Sequence, residues 1–89
     1  MKFGPYEFEH VTYDARGDVL YLRTGAPKQV TETHATPDGH AVRVDAAGEV
    51  IGITIVNAKW LAERDGKVTI TVPRLIETSA EALAPALTE

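Results

Sequence analysis

Residues 13–22, "YDARGDVLYL", are nearly restated at residues 44–53, "VDAAGEVIGI": Asp, two residues, Gly, an acid, Val, then aliphatics. Whether this cassette holds an ion or turns the chain decides what surrounds it. A calcium loop of the EF-hand kind needs acids or amides at alternating positions and a distant bidentate Glu. "DARGD" and "DAAGE" each offer two acids and no third ligand, so the cassette reads as a turn. Two short matches also fall short of a repeat architecture, which needs about three stacking units.

Parity in the flanking strands sharpens this reading. One face of a strand is i, i+2, i+4, so Val11 and Tyr13 form an odd apolar set before the first cassette turn, and Leu20 and Leu22 an even set after it. Antiparallel partners of opposite parity share a face only across a loop with an even number of residues. The second cassette repeats the relation, with Val42 and Val44 even and Ile51, Ile53 and Ile55 odd. Both copies therefore predict a turn of two or four residues, with Gly17 and Gly48 at positive φ and Asp14 and Asp45 capping through side-chain bonds to backbone N–H groups.

Working outward, β-branched and aromatic runs separated by Gly, Pro and Asp predict strands at 8–13, 18–24, 29–34, 40–46 and 49–56. "GAPKQ" (25–29) reads as a loop, because Pro27 cannot donate to a central ladder. In "ATPDGH" (35–40), Pro37 and Asp38 suit the centre of a type I turn and Gly39 the left-handed position of the bulge that follows, pairing Thr36 with His40. "NAKWLAERDG" (57–66) predicts a short helix with Asn57 as N-cap, Trp60 and Leu61 inward, and a stop at Asp65-Gly66. "KVTITV" (67–72) reads as a sixth strand, ended by Pro73. Ser79 is the expected N-cap of a C-terminal helix that lays Leu83 and Leu87 on the sheet, with Ile76 beside them and Pro85 limiting it. The expected architecture is one α+β domain over 1–89: an antiparallel meander of about five or six strands at 8–56, then the short helix, last strand and C-terminal helix at 57–87, the latter packed on one face.

Eighty-nine residues lie near the lower limit for a core that stands alone, so self-association is a natural supplement. A hydrophobic content of 44% with 25% charged residues excludes a disordered chain. Net charge is −4 and the nine Lys and Arg are scattered singly, which disfavours nucleic acid, whose binding needs a clustered basic face. There is no Cys, hence no disulfide, thiol nucleophile or thiolate zinc site. No apolar run approaches the ~20 residues of a membrane span, and "MKFGPYEFEH" lacks a signal-peptide core. A cytoplasmic protein without cofactor or membrane partner is expected.

The residues "YDARGDVLYLR" (13–23), "TET" (31–33) and "GHAVRVDAAGEVIGITIVNA" (39–58) make the chain similar to the bacterial family known as domain of unknown function 2283. The resemblance covers roughly half the chain in one collinear block and implies a small β-rich fold, with no activity attached. Members often carry Glu after the Gly-Ile near the block's end, where this chain has Thr54.

Three constellations are candidates for function. Glu32, His34 and His40 fall on one sheet face if the hairpin forms as predicted, and two imidazoles with a carboxylate could hold a divalent ion; the bland reading is a polar hairpin end. Tyr21, Arg23, Arg43, Asp45 and Thr54 decorate the face opposite the aliphatic set, and with Trp60 are residue types suited to a protein contact; the alternative is ion pairing on a wet surface. Catalysis finds no phosphate loop, nucleophile elbow or Ser with a base partner, and His10 in "EFEHVTY" is expected to pair with its acidic neighbours. The expectation is a non-enzymatic protein acting through association, as a homodimer or as the acidic partner of another protein. A metal-dependent binder or hydrolase using Glu32, His34 and His40 is the alternative.

Overall fold

The computed structural model describes residues 1–25 and 29–88; the loop expected around Pro27 lies largely outside them. Its centre is a five-stranded antiparallel sheet of β3 (His10–Asp14), β4 (Val19–Arg23), β5 (Glu32–Ala35), β6 (Ala41–Val44) and β7 (Val50–Val56). A two-stranded hairpin, β1 (Lys2–Phe3) and β2 (Tyr6–Glu7), precedes it. Helix α1 (Ala58–Asp65), the hairpin of β8 (Lys67–Ile70) and β9 (Ile76–Ser79), a short helix α2 (Ala80–Leu83) and a 3-10 turn (Ala84–Ala86) follow. The α+β class with an antiparallel sheet is as expected.

The strand order is β3-β4-β7-β6-β5, so the sheet is not a continuous meander. β7 enters between β4 and β6, burying its first four residues, Val50 to Ile53, and then Ile55. A run as apolar as "VIGITIV" gains most where both edges are paired and one face is covered. The strand expected at 67–72 stays out of this sheet and pairs instead with β9, an element the sequence reading did not contain.

The cassettes turn the chain by two different routes. Asp14 pairs with Val19 across four residues, an even loop as parity requires. Its left-handed residue is Asp18 (φ 56) rather than Gly17, which corrects the expectation. At the second cassette Asp45 N–H donates to Glu49 O across three residues, with Gly48 at φ 80. That odd loop would flip every later side chain, and a bulge restores the faces: Val44 pairs with Val50 but Arg43 with Gly52, leaving Ile51 as the extra residue. Both Asp caps form. Asp14 Oδ1 accepts from Arg16 N–H at 3.1 Å, and Asp45 Oδ1 from Ala47 and Glu49 N–H, both at 3.0 Å.

A Cβ on Gly48 would meet nothing within 4 Å, so the cost of Gly48→Ala is backbone conformation alone. The variant should lose about 1 kcal/mol in urea unfolding and Gly48→Asn clearly less, since Asn tolerates the left-handed region. An Ala variant as stable as the wild type would refute the strained-turn assignment.

The "TPDG" hairpin forms as read. Thr36 N–H donates to His40 O at 2.9 Å, Gly39 N–H to Thr36 O at 3.0 Å, and Gly39 has φ 90.

One face of the sheet is covered. Leu20, Leu22, Val42, Ile53 and Ile55 are fully buried there with Phe3, Phe8, Ile70 and Leu83, which the flanking elements bring down onto them. Helix α1 buries Ala58 and Ala62, two small residues one turn apart that permit close approach. Trp60 points outward, 54% exposed beneath the Arg64 guanidinium at 4.5 Å, which corrects its expected inward placement. Ser79 does cap α2, accepting from Ala82 N–H at 3.1 Å, and the helix gives way to the 3-10 turn at Pro85, the residue expected to limit it.

Asn57 does not cap α1 with its side chain. Asp18, from the first cassette, does so from across the fold: its backbone O accepts from Ala58 N–H at 3.0 Å, Oδ1 from Lys59 N–H at 2.8 Å, and Oδ2 from Trp60 N–H at 3.1 Å. Among the described residues no helix is long and apolar enough to cross a membrane.

Candidate functional site

The register that buries Leu20, Val42 and Ile53 sends the alternate residues of the same strands to the uncovered face. Two rows cross it. Thr12, Tyr21, Thr54, Ala41 and Ala35 are successive cross-strand neighbours, and beside them run His10, Arg23, Gly52, Arg43 and Thr33. Four of the six expected interaction residues, Tyr21, Arg23, Arg43 and Thr54, therefore share one surface. Asp45 stands at the β6–β7 turn with its carboxylate engaged by backbone, and Trp60 is on α1 rather than the sheet.

Gly52 shapes the middle of this face. A Cβ there would lie 2.8 Å from Arg43 Nε and 2.9 Å from Nη2, so the missing side chain is what lets the guanidinium lie flat on the sheet. Arg43 Nη1 also donates to Thr54 Oγ1 at 2.9 Å, fixing the group in plane. Tyr21 rises beside it, 44% exposed. Glu9, His10, Thr12, Tyr21, Arg23 and Arg43 line a shallow groove of about 490 Å³. His10 was expected to pair with neighbouring acids, and among the described residues it forms no ion pair. Gly52 was missed as a site residue; an isolated Gly inside an apolar strand was the available signal of a close approach.

The Glu32–His34–His40 cluster keeps its predicted face but does not converge. Glu32 Oε2 and His34 Nε2 are 3.2 Å apart at the edge of the sheet. His40 is turned into the core, 1% exposed, and its Nδ1 accepts from Val56 N–H at 3.1 Å. Burial holds its pKa below the ordinary value, against a smaller opposing pull from Asp38. An imidazole whose Nδ1 is taken by backbone serves the fold first. Among the described residues no group of three His, Asp or Glu is placed to hold a metal ion.

The comparisons with known proteins bear on the same block. The model of the family described as protein of unknown function (DUF2283) matches residues 10–59, more than half of the chain. Those limits enclose the five-stranded sheet and the first two residues of α1, including Asp18 and the Lys59 N–H it caps. No curated protein and no solved structure matches.

Proposed function

The chain belongs to the DUF2283 family of proteins of unknown function, and we propose that it works without chemistry of its own, as a small cytoplasmic module that associates with protein, first with a second copy of itself. One observation carries this reading: β5 is an edge strand, paired with β6 on one side and with no strand of the described residues on the other. An open edge is a template for another strand, and a two-fold axis along it would join two sheets into one. The complete lack of Cys accords with a reducing compartment.

The test uses the alternation of backbone groups. Thr36 N–H faces β6, so by the antiparallel pattern His34 and Glu32 face it too, and the N–H of Thr33 points away to the free edge. Thr33→Pro removes that outward donor while sparing the ladder with β6. Sedimentation velocity is expected to give a dimer for the wild type and a monomer for Thr33→Pro with unchanged far-ultraviolet circular dichroism. A wild type that stays monomeric at millimolar concentration would overturn the proposal.

A further inference from the structure

The uncovered sheet face carries an arginine pair that no ion pair among the described residues engages, and we propose that it is a binding site for a phosphate monoester. In register, Gly52 of β7 lies between Arg23 of β4 and Arg43 of β6. Neighbouring strands are about 4.8 Å apart, so the two Cα atoms stand roughly 10 Å from each other and both long side chains reach the strip between them. Arg43 is held over that strip by the absence of a Gly52 side chain and by Thr54 Oγ1. Among the described residues no ion pair engages either guanidinium. Glu9, the acid that lines the same groove, lies against Gly25.

Charge count selects the ligand. A carboxylate satisfies one guanidinium fork, whereas a phosphate monoester carries close to two charges and three acceptor oxygens, enough for both forks at once. Tyr21 supplies an aromatic wall beside the pair, and about 490 Å³ is in the range of small-ligand sites. Two cations are too few for a polyanion, whose affinity scales with the number of phosphates neutralised. The site is on the sheet face and is independent of association through the β5 edge.

The test is a titration of the 15N-labelled protein at low ionic strength with inorganic phosphate, phenyl phosphate and a short tyrosine-phosphorylated peptide. Shifts are expected to concentrate on the Arg43 Nε–H and on the amides of Arg23, Gly52 and Thr54. Arg23→Gln and Arg43→Gln should each weaken binding about tenfold, and Thr54→Glu, which puts a carboxylate beside Arg43, at least as much. Gly52→Ala keeps both charges but displaces the guanidinium, and should weaken binding several-fold; Arg74→Gln, at an exposed Arg elsewhere, should not. Tighter binding of the peptide would assign the ester to a modified polypeptide, and equal binding to a free metabolite. Shifts scattered over the surface, or affinity unchanged in both Arg23→Gln and Arg43→Gln, would overturn the assignment.

Discussion

Asp18→Ala is expected to lower the unfolding free energy by about 2–4 kcal/mol, the combined effect of losing a helix cap and charge-assisted hydrogen bonds and of placing Ala in the left-handed region. One carboxylate takes the Lys59 and Trp60 N–H groups and the Tyr13 hydroxyl, the last at 2.7 Å. It thereby satisfies orphan donors of α1, sits at the positive end of the helix dipole and ties that helix to the β3–β4 hairpin. Burial opposes its charge, but the Lys59 N–H, the Tyr13 hydroxyl, the Trp60 N–H and the Lys59 ammonium outweigh it and hold its pKa below the ordinary value. The stabilisation is therefore complete above the unfolded-state pKa of about 3.9 and disappears as pH falls through the lower folded-state value. Asp18→Asn should remove that acid-labile part while keeping one acceptor and the tolerance of positive φ, costing less than Asp18→Ala. Asp14→Ala, at an exposed turn, should cost about 1 kcal/mol or less. Urea unfolding at neutral pH measures all three, and an Asp18→Ala variant within about 0.5 kcal/mol of the wild type would refute the cross-fold cap.

Which of these features could be read beforehand follows from the range over which each signal acts. Side-chain alternation is local and strict, so the inward set Leu20, Leu22, Val42, Ile53 and Ile55 and the outward set Tyr21, Arg23, Arg43 and Thr54 were both legible. Turn chemistry was legible where the residue types demand it, as at Pro37-Asp38-Gly39. It was ambiguous at the cassettes, because a four-residue loop and a three-residue loop with a bulge put the same side chains on the same face. Strand order was not legible: parity tells which strands can share a face, not that β7 inserts beside β4. Nor was the helix cap, since a partner 41 residues away in sequence leaves no periodic trace, and Asn57 was the better local candidate. Trp60 misled because size suggests burial, whereas Ala58 and Ala62 offered the close contact. The β1–β2 hairpin had a signal in Gly4-Pro5 between Phe3 and Tyr6 that went unread. The metal cluster illustrates the same limit, because sharing a face does not bring side chains to one point.

His40 should make the fold sensitive to mild acid. Its Nδ1 accepts the Val56 N–H, which puts the imidazole proton on Nε2, and a second proton on Nδ1 would set donor against donor in a buried site. The folded-state pKa is below the ordinary value because burial disfavours the cation, while the unfolded chain keeps a value of about 6.5. Between those two values the unfolded state binds more protons, so stability is complete above pH ~6.5 and falls as pH drops toward the folded-state pKa. The slope cannot exceed about 1.4 kcal/mol per pH unit for one group. His40→Asn offers Oδ1 in place of Nδ1 and has nothing to titrate. Urea unfolding between about pH 7.5 and 5 should therefore give a decline in the wild type that His40→Asn flattens, with the two curves diverging as His40 titrates and well before the carboxylates protonate. If both proteins lose stability in parallel, another group is responsible. If the wild type gains stability on acidification, His40 is charged in the folded state and its bond to Val56 has been misassigned. The flattened outcome would fix the role of His40 as a neutral core acceptor, the one member of the expected metal set that the fold has already used.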